Sequence, residues 1–205
     1  VKLSWNKKFT ERFKPSKARR SWNGACELLR RGISSPMPVA YFEKRSEADL
    51  LRNWYICERE ASNLSVRHYF MIYASGNSIA HGIARDDFLA QLCQFVLEIH
   101  QRGIFFRDLS GGNVLVKTGS DGRLMFSLID TARARFFPFA IPVRKRLADL
   151  VRILHKLDWP GRLVFLQEYC NAIDKKFTVI WRLPFYLYDL KAGSKRGLRT
   201  RKRKT

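Results

Sequence analysis

The sequence predicts an α+β fold in two lobes, the second mostly helical and followed by a basic tail. Three observations predict it. Apolar residues recur at helical spacing over residues 17–31, 86–101, 145–158 and 161–173. Short apolar runs at 39–43, 54–58, 114–117 and 124–129 read as strands. The chain has 205 residues and is 46% hydrophobic, enough to bury a real core.

Residues 1–20 are basic and turn-like. The helix over 17–31 places Ala18, Trp22, Ala25 and Leu29 on one face, and Gly32 ends it. Ser34-Ser35-Pro36-Met37-Pro38 makes a rigid connection to two strands, 39–43 and 54–58, joined by a polar loop. Residues 61–67 read as a hinge into the second lobe. In the helix over 86–101, Asp86 can cap the start, and Phe88, Leu92, Phe95, Val96 and Ile99 form the apolar stripe. Gly103 stops it. Strands 114–117 and 124–129 form a hairpin around Ser120-Asp121-Gly122. The helix over 145–158 turns Leu147, Leu150, Val151, Leu154 and Leu157 inward, and 161–173 is another helix. Residues 191–205 hold eight Lys or Arg and no acid, the pattern of a mobile tail. The expected division is therefore 1–60, 61–67, 68–190 and 191–205. No internal repeat is visible.

The net charge is +21, from 39 basic and 18 acidic residues. Such an excess implies an anionic partner: nucleic acid, an acidic membrane surface or a phosphorylated substrate. The cysteines, Cys26, Cys57, Cys93 and Cys170, make no C-x-x-C pair, so free thiols in a reducing compartment are expected rather than a zinc site. No apolar run is long enough to span a membrane, and no signal peptide is visible. The chain opens on Val1, which suggests a fragment or a processed protein.

The stretch from His100 to Asp130 has the layout of a phosphoryl-transfer site. Arg107-Asp108 is followed five residues later by Asn113, then by an apolar run, a turn, and a second apolar run ending at Asp130. A kinase needs those parts in that order. Asp108 takes or orients the proton of the attacking hydroxyl, and Asn113 and Asp130 hold magnesium on the ATP phosphates. Alone, Asp108 would read as a turn or ion-pair residue, Asn113 as a turn residue and Asp130 as a cap. Their mutual spacing favours the catalytic reading. Arg107 is expected to fix the loop rather than to do chemistry. Arg133 and Arg135 could meet a phosphate or an anionic sugar acid, or be surface charge. His100 reads as structural, and Asp149 as a buried acid bonding the catalytic loop.

With these residues the chain resembles the lipopolysaccharide kinase (Kdo/WaaP) family. The resemblance rests on Lys2, SKARRSWNGACELLRRGISSPMPVAYFEK (Ser16 to Lys44), GIFFRDLSGGNVLV (Gly103 to Val116), SLIDTARARF (Ser127 to Phe136) and RLADL (Arg146 to Leu150). It implies a protein-kinase-like two-lobe fold. It also implies use of Mg-ATP to phosphorylate a heptose or Kdo of the lipopolysaccharide inner core, at the cytoplasmic face of the inner membrane. By the same resemblance Asp108 is the base, with Asn113 and Asp130 the magnesium ligands. Lys2 is the lysine that meets the ATP phosphates, and Glu58 to Ala61 is the backbone stretch that reads adenine.

The chain departs from the family pattern in several places. No G-x-G-x-x-G phosphate loop is present, which implies a truncated N-lobe and weakened ATP binding. The helix position expected to carry a Glu partner for Lys2 falls near Ser21, with Glu27 later on the helix. Phe106 stands where a His is common, and Thr131-Ala132 replaces Phe-Gly after the metal Asp. The basic tail, 191–204, and the N-terminal basic stretch are expected to draw the active site to an anionic membrane. Kinases of other acceptors, protein Ser/Thr or small molecules, and a pseudokinase remain alternative readings. No Ala-Pro-Glu segment follows Asp130, which disfavours a protein kinase. A nucleic-acid-binding protein is suggested by charge alone. No recognition motif supports it, so no nucleic acid partner is expected.

Overall fold

The structure, a computed structural model, describes residues 15–43, 52–60, 62, 64–119 and 122–201, with side chains as far as Lys191. Lys2, Ala61, Ser120 and Asp121 lie outside those residues.

Helix α1 (Lys17–Arg30) starts where the Ser16 hydroxyl accepts the Arg19 N–H at 3.0 Å. It buries Ala18, Ser21, Gly24, Ala25 and Leu28, a face rotated from the expected one. Trp22 and Leu29 are only half-buried, and Trp22 packs instead on Tyr41, with ring centroids 5.7 Å apart. The cause is a backbone-to-backbone contact that only small residues permit. Thr131 Oγ1 donates to the Ser21 carbonyl at 2.7 Å, and a β-carbon on Gly24 would lie 2.6 Å from the Thr131 carbonyl oxygen. Strands β1 (Pro38–Glu43) and β2 (Asn53–Cys57) pair antiparallel, with Tyr41 opposite Tyr55. Asn53 Oδ1 accepts the Ala18 N–H at 2.9 Å and ties this hairpin to the start of α1.

Strand β3 (Leu64–Ser65) leads directly into α2 (Val66–Ala74). The stretch read as a hinge therefore holds an edge strand and the first turn of a helix that the sequence reading missed. Its β-branched and aromatic residues are poor helix formers, but Val66, Tyr69, Phe70 and Tyr73 bury one face at 3.6-residue spacing, and packing overrides propensity. A short ribbon, β4 (Ile79–Ala80) and β5 (Ile83–Ala84), precedes α3 (Arg85–Gln101). Asp86 sits within the first turn of α3 rather than capping it; Ala84 holds the cap position. There Asp86 still faces the positive end of the helix dipole. Phe88, Leu92, Val96 and Ile99 are fully buried as expected, and Phe95 is half-buried.

After α3 come β6 (Ile104–Phe105), β7 (Val114–Thr118), β8 (Leu124–Leu128), a 3₁₀ turn over Thr131–Arg133 and β9 (Arg135–Phe136). One sheet has the order β3-β7-β8, and β6 pairs with β9. Gly103, at φ +74°, is required at the entry: a side chain there would meet the carbonyl of Phe137, whose N–H bonds to the Gly103 oxygen at 2.8 Å.

Helices α4 (Val143–Leu154), α5 (Trp159–Ala172) and α6 (Val179–Arg201) complete the second lobe. Asp158 lies beyond the end of α4 and caps α5, accepting the Gly161 N–H at 3.2 Å. Helix α6 runs into the segment that its charge marks as a tail, because Leu, Lys and Arg are good helix formers. Arg162, buried in α5, donates to the carbonyls of Leu154, Leu157 and His155 and to Asp189 of α6 at 2.6 Å. It thereby pins α6 to the α4–α5 turn. The core joins α2, α3, α4, α5, α6 and the inner face of the β7–β8 hairpin.

Candidate active site

The segment between β6 and β7 is held by one buried acid. Asp149 of α4, fully buried, accepts the backbone N–H of Phe106 at 2.8 Å through Oδ2 and that of Arg107 at 2.9 Å through Oδ1. Its expected role is thus present in the geometry. Phe106 is fully buried, which accounts for an apolar side chain where a histidine is common. Arg107 adopts φ +67°, a left-handed conformation that a non-glycine residue takes only when its surroundings impose it. The two bonds to Asp149 impose it here. His100 is buried next to this acid, its Nε2 3.8 Å from Asp149 Oδ2 and its Nδ1 2.6 Å from the Tyr169 hydroxyl. Burial holds its pKa below the ordinary value, so it is a neutral packing residue.

Asp108 follows on a loop that closes on itself. The Asp108 carbonyl accepts the Ser110 N–H at 2.7 Å and the Asn113 side-chain amide at 2.9 Å. The Asn113 Nδ2 is thereby used to shape the loop, and its Oδ1 is the atom it can offer to a cation. The hairpin then brings the second acid close. Val114 pairs with Leu128, and the Ile129 N–H donates to the Asn113 carbonyl at 3.0 Å. Asp130 comes one residue later, at φ +56°, with its side chain 41% exposed. The five-residue spacing and the hairpin, read together, thus place Asn113 and Asp130 at one end of the β7–β8 pair.

Two neighbours of these carboxylates were not legible beforehand. Lys17, the first residue of α1, lies 3.2 Å from Asp130 Oδ1. Arg152 of α4 lies 3.7 Å from Asp108 Oδ1, while Arg133 lies 3.2 Å from Asp108 Oδ2. The signal for Arg152 was present: it stands three residues after Asp149, and side chains at that spacing share a helix face. No local pattern points to Lys17, whose partner is distant in sequence. Glu27, the later acid on α1, is engaged elsewhere. It bonds Arg30 and Arg31 at 2.6 to 2.7 Å, and chiefly the Arg30 hydrogen bond draws its carboxyl down to about 2. Ser21 is buried against Thr131.

A cavity of about 150 Å³ lies on the outer face of the hairpin, between Leu115, Lys117, Ser127, Ser34, Glu60 and Ser62. Glu58, next to it in sequence, is exposed, and its N–H donates to the Met37 carbonyl at 2.9 Å. Glu60, two residues on, lines the cavity, and Glu58 itself does not.

Magnesium fits this donor set. Magnesium takes one or two protein oxygens and completes its shell with phosphates and water. Asn113 and Asp130 offer an amide oxygen and a carboxylate. Among the described residues no cluster of three or more His, Cys, Asp or Glu could hold a metal by itself.

A loop held by a helix acid, an Asp and Asn five apart on it, and a hairpin ending in a second Asp sit in a protein-kinase-like α+β fold. The chain belongs to the lipopolysaccharide kinase (Kdo/WaaP) family, whose model matches residues 2–168. The chain is similar to WaaP, solved in complex with acyl carrier protein: 22% identity, a TM-score of 0.59, and coverage of 75% of this chain. It spans 66% of that WaaP chain. It also matches the Rio2 kinase of Chaetomium thermophilum, solved as an ADP/Mg2+-phosphoaspartate complex, at 12% identity and a TM-score of 0.44. That match covers 87% of this chain and 54% of that one. No curated protein matches the sequence.

Proposed function

We propose that this protein transfers the γ-phosphoryl group of ATP to a hydroxyl of a lipopolysaccharide core sugar, a heptose or Kdo. One observation carries the reading. Asp108 and Asn113 share a loop pinned by Asp149, and the β7–β8 pairing sets Asp130 beside Asn113. In a chain of this family, that is the arrangement phosphoryl transfer requires.

Asp108 accepts a hydrogen bond from the acceptor hydroxyl, orients its oxygen toward phosphorus and takes its proton as the ester forms. The new O–P bond forms as the bond to the bridging oxygen breaks, and ADP leaves with that electron pair. Asn113 and Asp130 hold magnesium, which supplies charge neutralisation on the phosphates when bound. Lys2 meets the α- and β-phosphates, and Arg107 stabilises the loop. The purine enters the cavity on the hairpin's outer face, which Glu60 lines, and the stretch 58–61 reads it. Residues 1–60 serve as the nucleotide-side lobe and 68–190 as the catalytic lobe.

Transfer of labelled phosphate from Mg-ATP to core lipopolysaccharide tests the reading. Label on the glycan should vanish with a chelator, and Asp130→Asn should lower transfer at least about a hundredfold. Transfer that is indifferent to Asp130→Asn would reject the metal role, and nucleotide binding without transfer to any glycan would reject the acceptor.

The acceptor is a glycolipid, so the active site must work at a membrane. Among the described residues no helix is long and apolar enough to cross one. Helix α6 suits a surface instead. Its inner face packs Trp181 and Phe185, while Val179, Ile180, Leu183, Leu187 and Leu190 form an exposed apolar stripe on the other side. The basic residues from Lys191 onward follow it directly. Apolar insertion next to cations is the pattern of a helix lying on an anionic bilayer, worth about 1 kcal/mol per Lys or Arg. The helix supports a reading in which the enzyme works at the cytoplasmic face of the inner membrane. Co-sedimentation with anionic vesicles should fall as salt rises, and Leu183→Ser with Leu187→Ser should weaken it further. No sedimentation, or sedimentation indifferent to salt, would reject the membrane role.

A further inference from the structure

Two guanidinium groups, of Arg133 and Arg152, meet at the Asp108 carboxylate, and the Arg107 guanidinium feels the charges of both and of Arg135. Arg133 and Arg152 each face one oxygen of Asp108, at 3.2 and 3.7 Å. Arg135 stands in β9, opposite Phe105 and two residues from Arg107 in the pairing. The pKa of Arg107 is held below the ordinary value, first by desolvation and then by the charges of Arg135, Arg133 and Arg152. Asp149 is committed to two backbone amides, and Asp130 stands against Lys17. Asp108 is left to answer both Arg133 and Arg152. Their side chains are 47% and 39% exposed, so their forks remain open to a ligand.

This arrangement sets a conflict. Asp108 must give an oxygen to the acceptor hydroxyl, yet both its oxygens already have cationic partners. An acceptor that carries an anionic group beside its hydroxyl resolves the conflict, because that group can take the guanidiniums as the hydroxyl takes Asp108. Planar guanidinium forks suit carboxylate and phosphate oxygens.

We propose that Arg133 and Arg152 form an oxyanion subsite for the acceptor, a sugar carboxylate or sugar phosphate, and that filling it frees Asp108 for the reacting hydroxyl. The proposal rests on the kinase reading for its purpose, but the subsite itself is a binding property. Arg133 and Arg152 are specificity and positioning residues. Arg152, on a helix far from the loop in sequence, couples the acceptor's charge to the position of the base.

The test is direct binding to the full chain without nucleotide, using glucuronate, glucose 6-phosphate and neutral glucose as probes. The anionic probes should bind roughly tenfold or more tightly than glucose. The stronger of the two tells whether the subsite is built for a carboxylate or a phosphate. Arg133→Ala and Arg152→Ala should each abolish most of that preference, and Arg152→Lys should restore only part of it. Arg144→Ala, on the exposed side of the same helix, should leave it intact. Asp108→Asn removes the competing charge and should tighten anion binding several-fold, an effect that a merely structural role for the arginines would not produce. Equal binding of charged and neutral sugars would overturn the proposal, as would an anion affinity unmoved by Asp108→Asn. Since no phosphoryl transfer is read, a failure of the kinase reading would show only in the transfer assay.

Discussion

Replacing Asp108 by alanine is expected to lower kcat for phosphoryl transfer by about a thousandfold while leaving the fold intact. Its carboxylate is the one acid on the loop with both oxygens directed to side-chain partners rather than to backbone. The loop shape does not depend on that carboxylate. It is the Asp108 carbonyl that receives Ser110 and Asn113, and the carbonyl survives the substitution. The loss should therefore fall on kcat, with thermal midpoint nearly unchanged. The Michaelis constant for an anionic acceptor should not rise, because Arg133 and Arg152 are released to meet it. Steady-state kinetics with core glycan measure both parameters. A variant that keeps more than a tenth of the wild-type kcat would remove Asp108 from the chemistry, whereas no transfer by the wild-type protein would favour a pseudokinase.

Replacing Asp149 by alanine is expected to destabilise the fold by about 3 kcal/mol, since it strands buried polar groups. Two N–H groups, of Phe106 and Arg107, lose their acceptor, and Phe106 is sealed in the core where water cannot substitute. Both bonds that hold the left-handed backbone of Arg107 would go, so the loop should relax even in molecules that stay folded. Asp149→Asn keeps one acceptor oxygen and should cost about half as much. Urea denaturation measures the difference as a shift in midpoint, with activity lost in parallel. An unchanged midpoint would show that the loop is held by other contacts. The two acids should therefore differ: loss of Asp108 is expected to cost activity without stability, and loss of Asp149 to cost stability and, through it, activity.

The parts of this molecule that were readable in sequence are those set by local rules. Helices α1 and α3 and the β7–β8 hairpin follow from residue periodicity and turn chemistry, which act within a few residues of each position. Helix α2 was missed because its Val, Tyr and Phe residues favour strands locally, and only burial against α3 makes them helical. The face of α1 was misjudged for a related reason. Hydrophobicity pointed to Trp22 and Leu29, whereas close approach to Thr131 selected Ser21 and Gly24.

The candidate site divides in the same way. Asp108, Asn113 and Asp130 are legible because phosphoryl transfer needs these residue types at intervals that a loop and a hairpin dictate. Residue order is enough to assign the family and to single out those three groups as candidates. Packing settles which side chains surround them. Lys17 reaches Asp130 and Arg152 reaches Asp108 across contacts distant in sequence. Such pairings depend on how α1 and α4 pack on the loop. Charge interactions act through space: the spacing of Arg152 from Asp149 puts both on one face of α4, but only the packing of α1 and α4 delivers Lys17 and Arg152 to their carboxylates.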